Sequence, residues 1–304
     1  AASWTKGTGV SSATPTVSGN AVTCAVTCST GYSKEGGYVA SPTTTFNVSG
    51  SAGTATVETA CKRATYKVTL NNQSATTAGT TAYYYQYNLK GNCYYYTDSA
   101  LTTCIDGSSG ETITAPTKTN NIFGGYYTST GGSGTQYILH TGVTTGSLYA
   151  NNAKDMTLYA KWTEASCSAT NGTATLKSVT GNKPVCTITC TAGYSQSGGA
   201  NRTTSFDVTG TAGATSVSGS CLAQCNVITI SPNCGSQNAI TVYKKTGTTG
   251  WFSDASCSTS ITKITLPTYC NTNWDIRGVY STPIDVTADG NPGTQYFTKS
   301  GNTT

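Results

Sequence analysis

The stretch Ile122–Trp162, which reads IFGGYYTSTGGSGTQYILHTGVTTGSLYANNAKDMTLYAKW, carries the clearest fold signal in the chain. In its last seven residues, Met156–Trp162, apolar side chains alternate with Thr, Tyr and Lys. Alternation with a period of two is typical of a β-strand with one buried face. The glycines between Phe123 and Gly134 favour turns, because glycine adopts a positive φ without steric strain. We therefore expect strands and turns that close on Met156–Trp162.

Parts of this stretch return towards the end of the chain. The aromatic-glycine block around Tyr126 has a counterpart in Gly278–Thr282, and the tetrapeptide GTQY is repeated at Gly293–Tyr296. Internal repeats predict an architecture of similar units. The repeat points to a surface or filament protein made of modules, and no stretch points to chemistry.

A second repeat involves cysteines. The pattern Cys24-Ala-Val-Thr-Cys28 returns as Cys186-Thr-Ile-Thr-Cys190, and each pair is followed by a Gly-Tyr dipeptide, a Gly-Gly pair and a Phe-containing strand. The number of residues that separates Cys24 from Cys186 equals the number that separates Cys28 from Cys190. Parallel spacing of this kind indicates duplication. A superposition is expected to place Phe46 on Phe206 and Gly31 on Gly193.

The glycine-aromatic block followed by a D-x-TLYAKW strand resembles the bacterial surface repeats of the Listeria–Bacteroides class, which are related to the B repeats of internalins. The matching residues are Gly125–Thr128 and Leu158–Trp162. The resemblance covers roughly residues 65–162, and more weakly 225–304, where the LYAKW strand is missing. It implies a small β-grasp-like module in secreted or wall-attached proteins, in tandem and non-catalytic.

The predicted fold class is mainly β: tandem small β modules, stapled by disulfides, in which Cys-rich modules alternate with β-grasp-like modules. Four modules are expected, with the following bounds: a first Cys-rich module at 1–61, a first aromatic module at 62–162, a second Cys-rich module at 163–221, and a second aromatic module at 222–304.

The second aromatic module is expected to lack its last strand, because only eight residues follow Tyr296. The N-terminal residues Ala2, Ser3, Trp4 and Thr5 resemble the Ala160–Thr163 end of that strand. Two explanations stay open. The chain is a slice of a longer array, or the N-terminal segment of one subunit adds a strand to the next and builds a head-to-tail filament.

Composition places the chain outside the cytosol. Charged residues make up 10% of the chain, and there are 13 cysteines, a combination that favours an oxidising compartment. The start at Ala1, without Met, is typical of a mature secreted form or a fragment. The net charge of +5 is not gathered into any Lys/Arg run, which argues against nucleic acid. No apolar stretch is long enough to predict a membrane span.

The chemistry-bearing residues predict no enzyme, cofactor or metal. His140 is the one histidine and is expected to be a solvated loop residue, so a His-dependent triad or a Cys/His zinc site is disfavoured. A four-cysteine metal site and a carboxylate pair of the glycosidase type have no support in the spacing. Exposed Tyr and Trp side chains suit either stacking on sugars or packing across strands, and we favour packing.

The cysteine spacing predicts at least five intramolecular disulfides. Repeat logic proposes Cys24–Cys61 and Cys186–Cys221 as equivalent bonds, with Cys167–Cys190 as an extra bond that leaves Cys28 over. Cys93–Cys104 is expected to be a local bond. The pairing of the last four stays open: Cys225, Cys234, Cys257 and Cys270.

The sequence thus predicts a secreted, non-catalytic protein of a bacterial cell surface. The expected function is a structural filament, fibre or stalk whose expected partner is a second copy of the chain. The alternative is an adhesin in which the aromatic modules bind a glycan or a host surface.

Overall fold

The computed structural model describes residues 3–89, 93–105, 112–145, 148–232, 240–266, 274–277, 284–288 and 294–297. The described chain is mainly β, with one short α-helix and one 3₁₀ turn. The mainly β, disulfide-stapled fold class is therefore confirmed. The chain divides into two compact units. The first contains Ala1–Ala165 with the turns Val179–Lys183 and Thr211–Thr215, and the second contains the remainder.

Up to residue 165, the described residues form twelve strands, a 3₁₀ turn at Thr130–Gly132 and the helix α1 at Leu148–Asn151. The strands are β1 Ser3–Lys6, β2 Val10–Ser18, β3 Ala21–Cys28, β4 Tyr32–Ser33, β5 Gly37–Tyr38, β6 Thr45–Ser49, β7 Thr56–Thr59, β8 Lys62–Asn71, β9 Ala82–Gln86, β10 Asn121–Tyr127, β11 Gln136–Ile138 and β12 Met156–Glu164.

The described residues after 165 form a further fifteen strands. They are β13 Ser166–Thr170, β14 Gly172–Thr180, β15 Lys183–Cys190, β16 Tyr194–Ser195, β17 Ser205–Thr209, β18 Ser216–Ser220, β19 Leu222–Ala223, β20 Cys225–Pro232, β21 Ile240–Lys245, β22 Trp251–Phe252, β23 Ser260–Ile261, β24 Lys263–Leu266, β25 Trp274–Arg277, β26 Ile284–Ala288 and β27 Thr294–Phe297.

The first Cys-rich segment, residues 3–61, has a three-stranded antiparallel sheet in the order β2-β3-β6. β1 lies apart from this sheet and pairs in parallel with β7. The alternation of β3 places Val22, Cys24 and Val26 on the buried face, where they pack with Val57 of β7. A core this small buries little apolar surface, so covalent staples matter for its stability.

The second Cys-rich segment, residues 166–221, repeats these pairings. Its sheet has the order β14-β15-β17, and β13 pairs in parallel with β18. Phe206 lies opposite Ile188 as Phe46 lies opposite Val26. Backbone bonds also recur: Cys28 N–H donates to Thr44, and Cys190 N–H donates to Thr204. The four module boundaries themselves remain a prediction.

The first aromatic segment, residues 62–164, forms one mixed sheet in which the order β11-β10-β12-β8 continues to β9. Its first long strand, β8, and its last, β12, are parallel neighbours in the middle of the sheet. Neighbouring strands on either side run antiparallel. The sheet of this segment therefore has a central parallel pair flanked by antiparallel strands.

The core of this segment is built by alternating side chains. Val68 and Leu70 of β8 pack with Tyr83 and Tyr85 of β9 and with Leu158 of β12, and all five are buried. The alternation in Met156–Trp162 therefore buries one face of the strand as expected, with Leu158 and Ala160 in the core.

Glycine is required in the middle of β10. Gly125 has a φ of +105°, and a Cβ at this position would collide with the Ile138 carbonyl of β11. The pairing of β10 with β12 shifts register between Phe123 and Tyr126, which marks a β-bulge. The bulge places both Phe123 and Tyr126 in the core.

The second aromatic segment, from residue 222 onward, is assembled differently. Its strand β20 pairs with β21 on one side and with β25 on the other, both antiparallel. In the first aromatic segment the corresponding side of β8 is occupied by β12. The side of β20 that was expected to lie open, because a last strand is missing, is therefore covered by β25 among the described residues.

We predict that Leu158→Ala destabilises the first aromatic segment by about 2–5 kcal/mol, because it removes a fully buried side chain and leaves a cavity beside Val68. The measurement is the urea midpoint followed by near-ultraviolet circular dichroism of the tyrosines. Leu139→Ala is the matched control, since Leu139 is 37% exposed, and it is expected to shift the midpoint little. Equal shifts in both variants would contradict the packing described here.

Candidate functional site: ladders between first and last strands

Three segments share one feature, which is a parallel ladder between the strand where the chain enters and the strand where it leaves. In the Cys-rich segments these pairs are β1 with β7 and β13 with β18, and in the first aromatic segment the pair is β8 with β12. Parallel neighbours place the start of one strand and the end of the other at opposite ends of the ladder. Tension applied through the chain therefore acts along these ladders.

The β8–β12 ladder is secured at both ends by side chains. Asp155, directly before β12, accepts the Lys67 backbone N–H at 2.8 Å and the Tyr38 hydroxyl at 3.4 Å. At the other end, Trp162 Nε1–H donates to the Asn72 carbonyl at 3.0 Å. The Asp and Trp of the D-x-TLYAKW motif thus close the two ends of one ladder. The sequence showed the motif but not these partners, which lie far away in the chain.

Disulfides staple the same segments. The structure contains Cys28–Cys61, Cys190–Cys221 and Cys167–Cys186 in the Cys-rich segments, together with Cys93–Cys104 and Cys225–Cys257 in the aromatic segments. The local Cys93–Cys104 bond was expected. The bond Cys225–Cys257 resolves part of the pairing that the sequence left open, while Cys234 and Cys270 lie outside the described residues.

The predicted bonds Cys24–Cys61, Cys186–Cys221 and Cys167–Cys190 are wrong. In each Cys-rich segment it is the second cysteine of the CxxxC pair, Cys28 or Cys190, that bonds the cysteine after the last strand. The two cysteines of a pair lie four residues apart on one strand, roughly 13 Å along it. Only the one at the strand end reaches the cysteine that follows the last strand.

The first cysteine of each CxxxC pair faces the parallel first strand instead. In the second segment Cys186 bonds Cys167, which lies opposite Val217 in the β13–β18 ladder. In the first segment Trp4 lies opposite Val57 in the β1–β7 ladder, so Trp4 occupies the position of Cys167. Cys24 is therefore fully buried and has no disulfide partner among the residues that the structure describes. The expectation that Cys28 is the odd cysteine is corrected accordingly.

The same register corrects the proposed likeness between the N-terminus and Ala160–Thr163. Ser3 corresponds to Ser166, and Trp4 corresponds to Cys167 rather than to Trp162. Ser3, Trp4 and Thr5 belong to β1, and Trp4 packs against the core of its own segment. Donation of this strand to a neighbouring subunit would require it to leave β7. Ala2 lies outside the described residues, and of Tyr296 only the backbone, in β27, is described.

Most tyrosines of the first aromatic segment are used for packing. Tyr66 and Tyr85 are direct cross-strand partners with ring centroids 5.7 Å apart, and Tyr83 and Tyr95 meet edge to face at 5.4 Å. Burial raises the pKa of the Tyr83 and Tyr85 hydroxyls and raises that of Tyr95 to about 12. These residues are held as neutral phenols in an apolar environment.

His140 is not the solvated loop residue that the sequence suggested. Its imidazole is partly buried against Gly213, and its buried Nδ1 atom makes no hydrogen bond within the described residues. A Cβ at Gly213, which has a φ of +80°, would meet the imidazole ring. The histidine therefore packs against a turn.

No group of three or more His, Cys, Asp or Glu side chains that could hold a metal ion occurs in the part of the chain that the structure describes. None of the described helices is long and apolar enough to cross a membrane. Comparison with protein-family models, curated proteins and solved structures finds no match to this chain.

We predict that Trp4→Cys forms a new bond with Cys24, because the variant recreates the cysteine pair that Cys167 and Cys186 make in the second Cys-rich segment. Peptide mapping after alkylation of the unreduced protein is expected to show loss of the Cys24 thiol and a linked peptide. Trp4→Ser is the matched control, and its Cys24 is expected to remain a thiol. A free Cys24 in Trp4→Cys would show that the two ladders are not in equivalent register.

We predict that the protein loses stability as the pH rises from about 10. The folded state keeps buried tyrosines neutral, whereas an unfolded chain releases their protons near pH 10. Each buried tyrosine therefore contributes its full stabilisation below the pKa that it has in the unfolded chain. This contribution is lost as the pH rises towards the pKa of the folded state, which is about 12 for Tyr95. The measurement is the urea midpoint between about pH 8 and pH 11.

Tyr95→Phe is the control for this pH dependence, because it removes one of the titrating groups while keeping the ring. Its midpoint is expected to fall less steeply with pH than that of the unchanged protein. Phenolate absorbance that develops fully before the chain unfolds would contradict the burial of these hydroxyls.

Proposed function

We propose that this protein is a load-bearing extracellular structural protein, part of a stalk or fibre on a bacterial surface. The observation that carries the proposal is the parallel ladder between first and last strands in three segments. When tension pulls two parallel neighbours along their length, all ladder hydrogen bonds are strained together. Antiparallel terminal strands would instead open one bond at a time.

The disulfides support the same role. Cys28–Cys61 and Cys190–Cys221 each join the end of a central strand to the residue that follows the last strand. The residues between the two cysteines of each bond thus form a covalent loop, and tension cannot extend this loop while the bond is intact. Bonds of this density are typical of proteins that fold in an oxidising compartment. The low charge content and the resemblance to bacterial surface repeats favour a cell-surface position.

The proposal is tested by single-molecule force spectroscopy on the full oxidised chain, pulled through its two ends. Asp155→Ala is expected to lower the unfolding force of the first aromatic segment, because it removes the acceptor that secures the start of the β8–β12 ladder. Reduction of the disulfides is expected to lengthen the chain released from the Cys-rich segments.

Asp98→Ala provides the matched control. Asp98 accepts the backbone N–H groups of Thr102 and Thr103 in a turn that lies outside the ladder. This variant is expected to remove a carboxylate and its turn bonds without changing the unfolding force. If Asp155→Ala and Asp98→Ala lower the force equally, or if the unchanged chain extends without resistance, a load-bearing role is overturned.

A further inference from the structure

A cavity of about 420 Å³ opens on the second Cys-rich segment and the strands next to it. Tyr194 of β16 lies in its wall, together with Asn171, Leu222 and Ala223. Lys245 at the end of β21 also lines it. The volume falls within the range of roughly 300–1,000 Å³ that is usual for small-molecule sites. This cavity takes no part in the ladders described above.

The first Cys-rich segment shows different neighbours around the equivalent tyrosine. Tyr32 has the position of Tyr194, since Tyr32 pairs with Arg63 of β8 as Tyr194 pairs with Ala223 of β19. The Arg63 guanidinium lies over the Tyr32 ring, 5.1 Å from its centroid. The ring itself packs directly on Gly9, where a Cβ would collide with it. Tyr32 is therefore covered on the side that Arg63 occupies.

Large residues around this tyrosine are replaced by small ones in the second segment. Ala223 stands in place of Arg63, so the ring of Tyr194 has lost its guanidinium cover. Gly31 packs against Tyr87, whereas its counterpart Gly193 packs against Thr246. Asn171, a residue with a positive φ like Gly9, brings an amide to the cavity wall. The backbone bonds are kept, so the change is confined to the space around one aromatic ring.

The lining combines an aromatic ring with fixed polar groups. Asn171 Nδ2 donates to the Cys221 carbonyl at 3.0 Å, which holds the amide in one orientation. Ser197 and Ser256 add hydroxyl groups, and Lys245 adds the one charged side chain among the lining residues. None of the described residues that line the cavity carries a carboxylate. An apolar ring face beside a few oriented polar groups suits a ligand with both C–H faces and hydroxyls.

We propose that this cavity binds a single pyranose unit of a saccharide, with the sugar ring against Tyr194 and its hydroxyls bonded to Asn171 and the serines. The site gives the second Cys-rich segment a binding role that the first does not share. It is independent of the load-bearing proposal, because force resistance and sugar binding are measured separately.

The test is ligand-observed NMR on the full oxidised chain, with saturation transfer from protein to sugar. The probes are the methyl glycosides of glucose, galactose and mannose, then N-acetylglucosamine, and glucuronic acid as the acidic arm. Saturation is expected to reach the ring protons of at least one probe. If no probe receives saturation, the proposal is overturned.

Ala223→Arg is the decisive variant, because it restores over Tyr194 the cover that Arg63 gives Tyr32. Affinity for the bound probe is expected to fall at least about tenfold, and Tyr194→Ala is expected to produce the same loss. Tyr32→Ala, which removes the equivalent ring of the first segment, is the matched control and is expected to leave affinity unchanged. Mapping of the Cys28–Cys61 bond in Tyr32→Ala and of the Cys190–Cys221 bond in the other variants checks that the altered segment folds.

Lys245→Ala separates the two classes of sugar. It is expected to weaken glucuronic acid more than the neutral probes, because Lys245 is the charged side chain among the described lining residues. An equal loss for all probes also places the sugar beside Lys245, with the shared hydroxyls as its contacts. The assignment is overturned if binding persists in both Ala223→Arg and Tyr194→Ala. It is also overturned if binding is unchanged by Lys245→Ala and lost in Tyr32→Ala.

Discussion

The parallel ladder between first and last strands is the constraint on which the other features depend. In the first aromatic segment it places β8 and β12 at the centre of the sheet, so their side chains Val68 and Leu158 form the middle of the core. The tyrosines of β9 and the bulge of β10 then cover this centre from either side. The two strands of this ladder are far apart in sequence, and contacts of this kind slow folding because the chain between them must first be brought to closure.

The two Cys-rich segments show how far side chains vary while a backbone framework is kept. The same pairings and turn bonds hold Trp4 in one copy and a Cys167–Cys186 bond in the other. They likewise hold an arginine-covered Tyr32 in one and, in the other, a Tyr194 that lines a cavity. The framework is set by backbone bonds and one common disulfide position, which leaves the remaining positions open to new roles.

Local patterns in the sequence predicted the strands well, because period-two alternation and glycine placement are local properties. The Met156–Trp162 strand and the duplication of Phe46 and Phe206 belong to this class. Disulfide partners were not predictable in the same way. Choosing between Cys24 and Cys28 depends on which end of β3 lies near Cys61, and no local pattern specifies this contact between residues separated by 33 positions.

The cavity was likewise beyond sequence reasoning, since the replacement of Arg63 by Ala223 is recognised only when the structure shows Arg63 above Tyr32.

Buried Cys24 carries one further consequence, which concerns the chemistry of folding. A free thiol four residues from Cys28 is able to attack the Cys28–Cys61 bond and exchange partners with it, but only while the thiol is accessible. Trp4 packs against the core that encloses Cys24. Formation of β3, which holds Cys24 roughly 13 Å along the strand from Cys28, and docking of the N-terminal strand against this core therefore both keep the thiol from shuffling the disulfides of the first Cys-rich segment.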